Sequence, residues 1–149
     1  LLHRERNQTS ERLTDSERRN YCEKVNSYVQ KHYLESPQME FLANKFGYDG
    51  NAQMLRRDFI RYYGTTPAAI SKIKKLEEAK RLLATTTYSM KEIAVKLKYK
   101  SHTHFGMDFK NNIGMTPAEY RKAIKAKREK QMNTKDYQMN LKDYLAKMC

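Results

Sequence analysis

A chain of 149 residues with 30 Lys and Arg against 17 Asp and Glu, a net charge of +13, makes one domain or two very small ones, and its basic excess favours a polyanionic partner through counterion release and steering. No run approaches the ~18 apolar residues that a membrane span requires, and no apolar signal-peptide core is visible. Cys22 and Cys149 stand in no metal or redox spacing and fit a reducing cytosol, so no metal, no cofactor and a cytoplasmic, nucleoid-associated location are expected.

Residues 1–16 are polar and read as a linker or flexible extension. The chain does not begin with Met, so the expectation is a piece of a longer protein or a processed product. Residues 17–66 form a first unit. Tyr21, Val25, Tyr28, Val29 and Tyr33 recur at three- and four-residue spacing, which predicts a helix over 17–34. Ser36-Pro37 stops it and starts the next helix, with Pro in the first turn. That short helix ends near Phe46-Gly47, where glycine supplies the left-handed conformation of a tight turn. After Tyr48-Asp49-Gly50 a second helix runs from about 51 to 62, burying Leu55 and Phe59. The pattern is helix, tight turn, helix.

Residues 67–86 form a linker helix opened by Thr66-Pro67, with Ile70, Ile73, Leu76, Ala79, Leu82 and Leu83 as its apolar stripe. Residues 87–132 form a second unit. Ser89-Met90-Lys91-Glu92 is a capping box, and helices follow near 89–97 and 102–112. Thr116-Pro117-Ala118-Glu119 is another capping box, opening a helix that becomes very basic at Arg121, Lys122, Lys125, Lys127, Arg128 and Lys130. Asn133-Thr134 is read as an interruption, and residues 133–149 as an amphipathic extension with Tyr137, Leu141, Tyr144, Leu145 and Met148 on one stripe. No strand pattern is convincing, and the fold class is all-α.

The two units repeat one pattern. Leu42-Ala43, Gly47-Tyr48, Phe59 and Gly64-Thr65-Thr66-Pro67 are matched by Ile93-Ala94, Lys98-Tyr99, Phe109 and Gly114-Met115-Thr116-Pro117, with Ala43 and Ala94 51 residues apart. Together with Leu76-Glu77-Glu78-Ala79-Lys80-Arg81-Leu82-Leu83, Ser101, Phe105, Lys110 and Ala118-Glu119-Tyr120-Arg121, this pattern resembles the DNA-binding domain of the AraC/XylS family of bacterial transcription regulators. A single helix-turn-helix pattern is weak evidence. Two copies at this spacing, each closed by Phe-x4-Gly-x-Thr-Pro, are specific. The resemblance covers about residues 21–123 and implies two three-helix subdomains joined by a long helix, with two recognition helices in successive major-groove segments. It also implies an N-terminal sensor or dimerisation module outside this chain, and RNA polymerase as an indirect partner. Three departures stand out. Lys98 occupies a turn position where the family carries Gly, so a positive φ there strains it or the turn differs. The first copy has one extra residue before its Phe, which predicts a looser turn around Asp49-Gly50. Lys75 replaces the family's Arg in the linker helix.

The buried Phe sets the phase of each recognition helix. Residues two, three and six positions before it face away from the core: Arg57, Arg56 and Gln53 in the first copy, which are also the family's base-reading positions. Arg suits the two acceptors of guanine and Gln the donor–acceptor pair of adenine. Asn51 is placed to reach a phosphate or a base, and Arg61 the backbone. The plain alternative for Arg56 and Arg57 is solvated charge, with a bridge to Asp58. In the second copy the equivalents are Met107, Gly106 and Thr103, with His102 and His104 beside them. Met107 suits a thymine methyl rather than a hydrogen bond, so this helix should read fewer bases. The two His are equally readable as helix-surface residues without a role, and a metal site there is disfavoured because i and i+2 point apart. Lys98, Lys100 and Lys110 anchor the second reader electrostatically. The run 121–130 is either phosphate-contacting or a solvated helix face.

Three functions compete: a sequence-specific regulator domain binding double-stranded DNA, a sequence-tolerant architectural DNA-binding protein, and an enzyme. The last draws on DNA-repair methyltransferases that carry this module. Cys22, beside Glu23, and the terminal Cys149 have no base or metal set around them, so no catalysis is expected.

Overall fold

Side chains that satisfy free backbone amides set most of the helix starts. The computed structural model of the chain describes residues 13–148. Helix α1 (Asp15–Lys31) opens on a capping box: Glu17 N donates to Thr14 Oγ1 at 3.2 Å, and Thr14 N donates to Glu17 Oε2 at 2.8 Å. This box starts the helix two residues before the expected position, within the stretch read as an extension. Residues 33–35 form a 3₁₀ turn, so Tyr33 lies beyond α1. Ser36 then turns the chain in a left-handed conformation, and α2 (Met39–Lys45) begins after an extended Gln38. Pro37 therefore precedes the helix and is not in its first turn.

Helix α3 (Ala52–Tyr63) is capped by Asn51. Helix α4 (Pro67–Thr85) is opened by Thr66, whose Oγ1 accepts from Ala69 N at 3.2 Å. Ser89 and Glu92 form the predicted capping box of α5 (Met90–Lys96), and Ser101 caps α6 (His102–Ile113). Thr116 and Glu119 exchange reciprocal bonds at the start of α7 (Pro117–Met148). That helix runs through Asn133-Thr134 without interruption: neither residue removes a backbone donor, and the Thr134 hydroxyl donates back to Lys130 O within the same helix. Among the described residues there is no strand.

The chain divides into two compact units, one through Glu77 and the other from Glu78, so the division falls within α4. The first core gathers Cys22, Val25 and Val29 of α1, Leu42 and Ala43 of α2, Tyr48 of the turn, and Leu55 and Phe59 of α3, with Ile70 packed against it. The second unit buries Ala79, Leu82, Leu83, Ile93, Ala94, Leu97, Phe105 and Phe109. Ile73, expected in the buried stripe, is 54% exposed. Three-residue steps fall about 60° short of a helical turn, so such a stripe winds around the helix and leaves Ile73 on its solvent side.

The turns differ as their sequences do. Gly47 has φ 83°, and a Cβ added there would stand 2.7 Å from the Tyr21 ring, so both conformation and space require glycine. Lys98 adopts the same left-handed conformation with φ 59°, so the second turn keeps its shape and bears the strain. The extra residue of the first turn is absorbed by Asp49 and Gly50, at φ 49° and 79°. Asn51 N bonds Tyr48 O at 2.8 Å and Ala52 N bonds Gly50 O at 2.9 Å, so this turn is hydrogen-bonded and not loose.

Candidate nucleic-acid interface

Leu55 and Phe59 are fully buried, and this fixes the rotation of α3. The opposite face is exposed and carries Gln53, Arg56 and Arg57. These three side chains line one open groove together with Glu40 of α2, Ala52 and Ile60. Glu40 and Ile60 extend the surface beyond what phase alone singled out. Ile60 is 44% exposed, one turn along from Arg56 and Arg57, and offers an apolar contact among charged ones. Asn51 is exposed, but its Oδ1 accepts from Met54 N at 3.1 Å, so its first role is to cap α3. The Arg61 guanidinium lies 3.7 Å from Asp15 Oδ1 and over the Tyr62 ring. The Tyr62 hydroxyl donates to the same Asp15 at 2.7 Å, and that hydrogen bond, aided by the arginines, holds the Asp15 carboxyl below the usual carboxylate value.

A Tyr–Asp link, buried in the first unit and half-buried in the second, fastens α3 and α6 each to its own unit. Tyr48 Oη donates to Asp58 Oδ2 at 2.8 Å, Arg18 stands 3.6 Å from the other carboxylate oxygen, and the Cys22 thiol lies 3.5 Å from the same hydroxyl. In the second unit Tyr99 Oη donates to Asp108 Oδ2 at 2.7 Å. Burial first, and then these partners, push both tyrosine hydroxyls well above their ordinary value, so the phenols stay neutral donors. Asp58 is 5% exposed and points into the core, so it is not the surface partner of Arg56 or Arg57. Sequence reasoning missed these links. Their signal was a Tyr after each turn and an Asp directly before each buried Phe.

Helix α6 repeats the phase with different chemistry. Phe105 and Phe109 are buried, while His102, Thr103, His104, Met107 and Lys110 are exposed. His104 meets the Tyr99 ring edge to face at 5.5 Å, so it also braces the turn. Ser101 caps this helix where Asn51 caps the first, with His104 N donating to its Oγ at 3.0 Å. Lys98 and Lys100 are exposed on the turn before the helix.

The basic run divides into two roles. Arg121 Nε donates to Leu83 O at 3.1 Å, and Arg128 donates to Ala84 O, so two of its cations neutralise the carbonyl end of α4. Lys122, Lys125, Lys127 and Lys130 are exposed. On the extension, Leu141, Tyr144, Leu145 and Met148 are exposed. Among the described residues no group of His, Cys, Asp and Glu is arranged to hold a metal, and no helix is long and apolar enough to cross a membrane.

Residues 42–123 match a family model described as a helix-turn-helix domain. The chain is 33% identical over 100 residues to the HTH-type transcriptional regulator YisR of Bacillus subtilis, covering 67% of this chain and 34% of that protein. It spans about a third of the length of the curated relatives it matches. Among solved structures it is similar to the DNA-binding domain of AdpA, a global transcriptional factor, in complex with a target DNA, with TM-score 0.61, 26% identity, and 72% of this chain and 96% of that one covered. It is also similar to a Chromobacterium violaceum regulator with an AraC-type DNA-binding domain, with TM-score 0.57, 25% identity, and 69% and 90% covered.

Proposed function

The chain belongs to the AraC/XylS family of helix-turn-helix regulators, and on that premise we propose that α3 and α6 are its two DNA readers, set in successive major-groove segments. Sequence-specific binding to double-stranded DNA is the family's activity, and the net charge of +13 supplies the electrostatic share of it. The observation that carries the assignment of readers is the exposure of Gln53, Arg56, Arg57, Thr103 and Met107 on faces opposite the buried Leu55–Phe59 and Phe105–Phe109 pairs. Arg56 and Arg57 supply hydrogen bonds to guanine, Gln53 to adenine, and His102, Thr103 and His104 the polar contacts of the second half. Asn51, after capping, retains an amide nitrogen for a phosphate. Lys98, Lys100 and Lys110 anchor the second reader. Arg61 serves the backbone only if it leaves Asp15.

The reading leaves catalysis out of this chain. The Cys22 thiol is buried against Tyr48, and burial pushes it up, the reverse of what an acceptor thiolate requires. In the full-length protein, a sensor or dimerisation module, contact with RNA polymerase and residence on the nucleoid complete the proposal.

Selection of bound duplexes from a random pool at physiological salt tests it, with Arg56→Ala and Arg57→Ala in parallel. The expected result is a motif of two halves about one helical turn apart. Each substitution relaxes positions in one half and costs about 1–3 kcal/mol on the selected duplex. Tight, steeply salt-dependent binding with no enriched motif would instead establish the architectural function.

A further inference from the structure

Gly106 lies inside α6, at the position that Arg56 occupies in the first reader. Glycine in a helix has two ordinary structural reasons: a left-handed backbone or a neighbour too close for a Cβ. Neither applies. Its φ is not among the positive values of this chain, and a Cβ built on it meets nothing within 4 Å. Glycine is the poorest helix former after proline, so the fold is weakened by it and receives nothing in return. The reason for a residue with no side chain then lies outside the chain.

Thr103, Gly106, Met107 and Lys110 fall at i, i+3, i+4 and i+7, on one face of α6. The two neighbours of Gly106 on that face carry methyl groups, and Met107 is 61% exposed. On the DNA-binding reading given above, we propose that Gly106 is a specificity-determining position. It lets the α6 backbone approach the base edges directly, with Thr103 and Met107 set against thymine methyl groups. The second half-site is then recognised chiefly by its methyl pattern and groove shape, beside the polar contacts of His102, Thr103 and His104, where the first is recognised chiefly by hydrogen bonds. Lys110, one turn on, takes a phosphate and holds the close approach.

The test uses the full chain on its selected duplex, with Gly106→Ala, Met107→Ala and Arg56→Ala, and with uracil replacing thymine in the second half-site. Gly106→Ala is expected to raise the melting temperature of the second unit by about 2–8 °C and yet weaken binding about fivefold or more. Uracil is expected to weaken wild-type binding by a similar factor, and to weaken Met107→Ala much less. A raised melting temperature with unchanged affinity overturns the inference, as does indifference to uracil or a second half-site without thymine. If Arg56→Ala still relaxes the first half in that case, DNA reading stands and only the role of Gly106 fails. If Arg56→Ala has no effect and no motif is enriched, the reading beneath it fails as well.

Discussion

Replacing Tyr48 by Phe removes one oxygen from the centre of the first unit and tests what holds α3 in place. That oxygen donates to Asp58 Oδ2 at 2.8 Å, and both residues are buried. A hydrogen bond to an ionised acceptor contributes about 1.5–3 kcal/mol, and an acceptor left unsatisfied in the interior costs at the upper end. Asp58 is not left alone, because Arg18 stays 3.6 Å from its other oxygen. The ring keeps its place against Tyr21, at 6.1 Å between centroids. The expected loss is therefore about 2 kcal/mol, near the middle of the range, with little from packing. For a unit of this size that is a fall in melting temperature of roughly 8–16 °C. Urea unfolding followed by circular dichroism measures it, with amide exchange in α3 and α6 showing which unit opens first. In a double-mutant cycle, Tyr48→Phe and Asp58→Asn should couple by about 1 kcal/mol or more. A loss under about 0.5 kcal/mol, or no coupling, refutes the claim that this link fastens the reader. Unchanged stability with lost DNA affinity refutes it differently, by assigning the hydroxyl to the DNA.

Lys98→Gly should stabilise the second unit by up to about 1 kcal/mol in the same urea assay, because it relieves a left-handed lysine; a destabilised variant would mean the lysine side chain outweighs the strain. Arg121→Met should cost roughly 1 kcal/mol and make the amides at the end of α4 exchange faster, while Lys122→Ala should do neither. Stability should fall as pH rises above about 10. Unfolded tyrosines lose their protons there and Tyr48 and Tyr99 keep theirs, so the unfolded state binds fewer protons and is favoured by about 1.4 kcal/mol per pH unit for each tyrosine. Stability curves at pH 8, 10 and 11 should flatten for Tyr48→Phe and Tyr99→Phe; equal slopes in wild type and variants would remove the phenols from the cause.

What the sequence made legible was local. Capping boxes at Ser89 and Thr116 announce themselves in consecutive letters, and each formed where expected. The strained Lys98 was legible because the second turn repeats the first. The phase of α3 and α6 followed from one buried Phe apiece, enough to leave every candidate side chain in solvent. Three misses show why the rest was not legible. The Tyr–Asp links join residues 10 and 9 apart across a turn, and only the fold shows that they meet. Arg121 and Arg128 were read as free charge because their acceptors, Leu83 and Ala84, are backbone carbonyls about 40 residues earlier. Asn133-Thr134 was read as a break on propensity, which is too weak to end a helix when no Pro or Gly is present.

In each unit the groups that hold the reader and the groups offered to the outside lie on opposite faces of the same helix. Asp58 and Asp108 are tied inward by tyrosines, while the side chains at 53, 56, 57, 103 and 107 are exposed. Substitution at the outward positions therefore bears on stability mainly through helix propensity, as at Gly106, and not through core packing. Two copies can thus differ at their outward positions while keeping one architecture, as the contrast of Arg56 with Gly106 illustrates. For the engineer, the same separation makes the outward face of α6 a graft site: Gln53, Arg56, Arg57 and Ile60 can be copied to 103, 106, 107 and 110 with no scaffold residue altered.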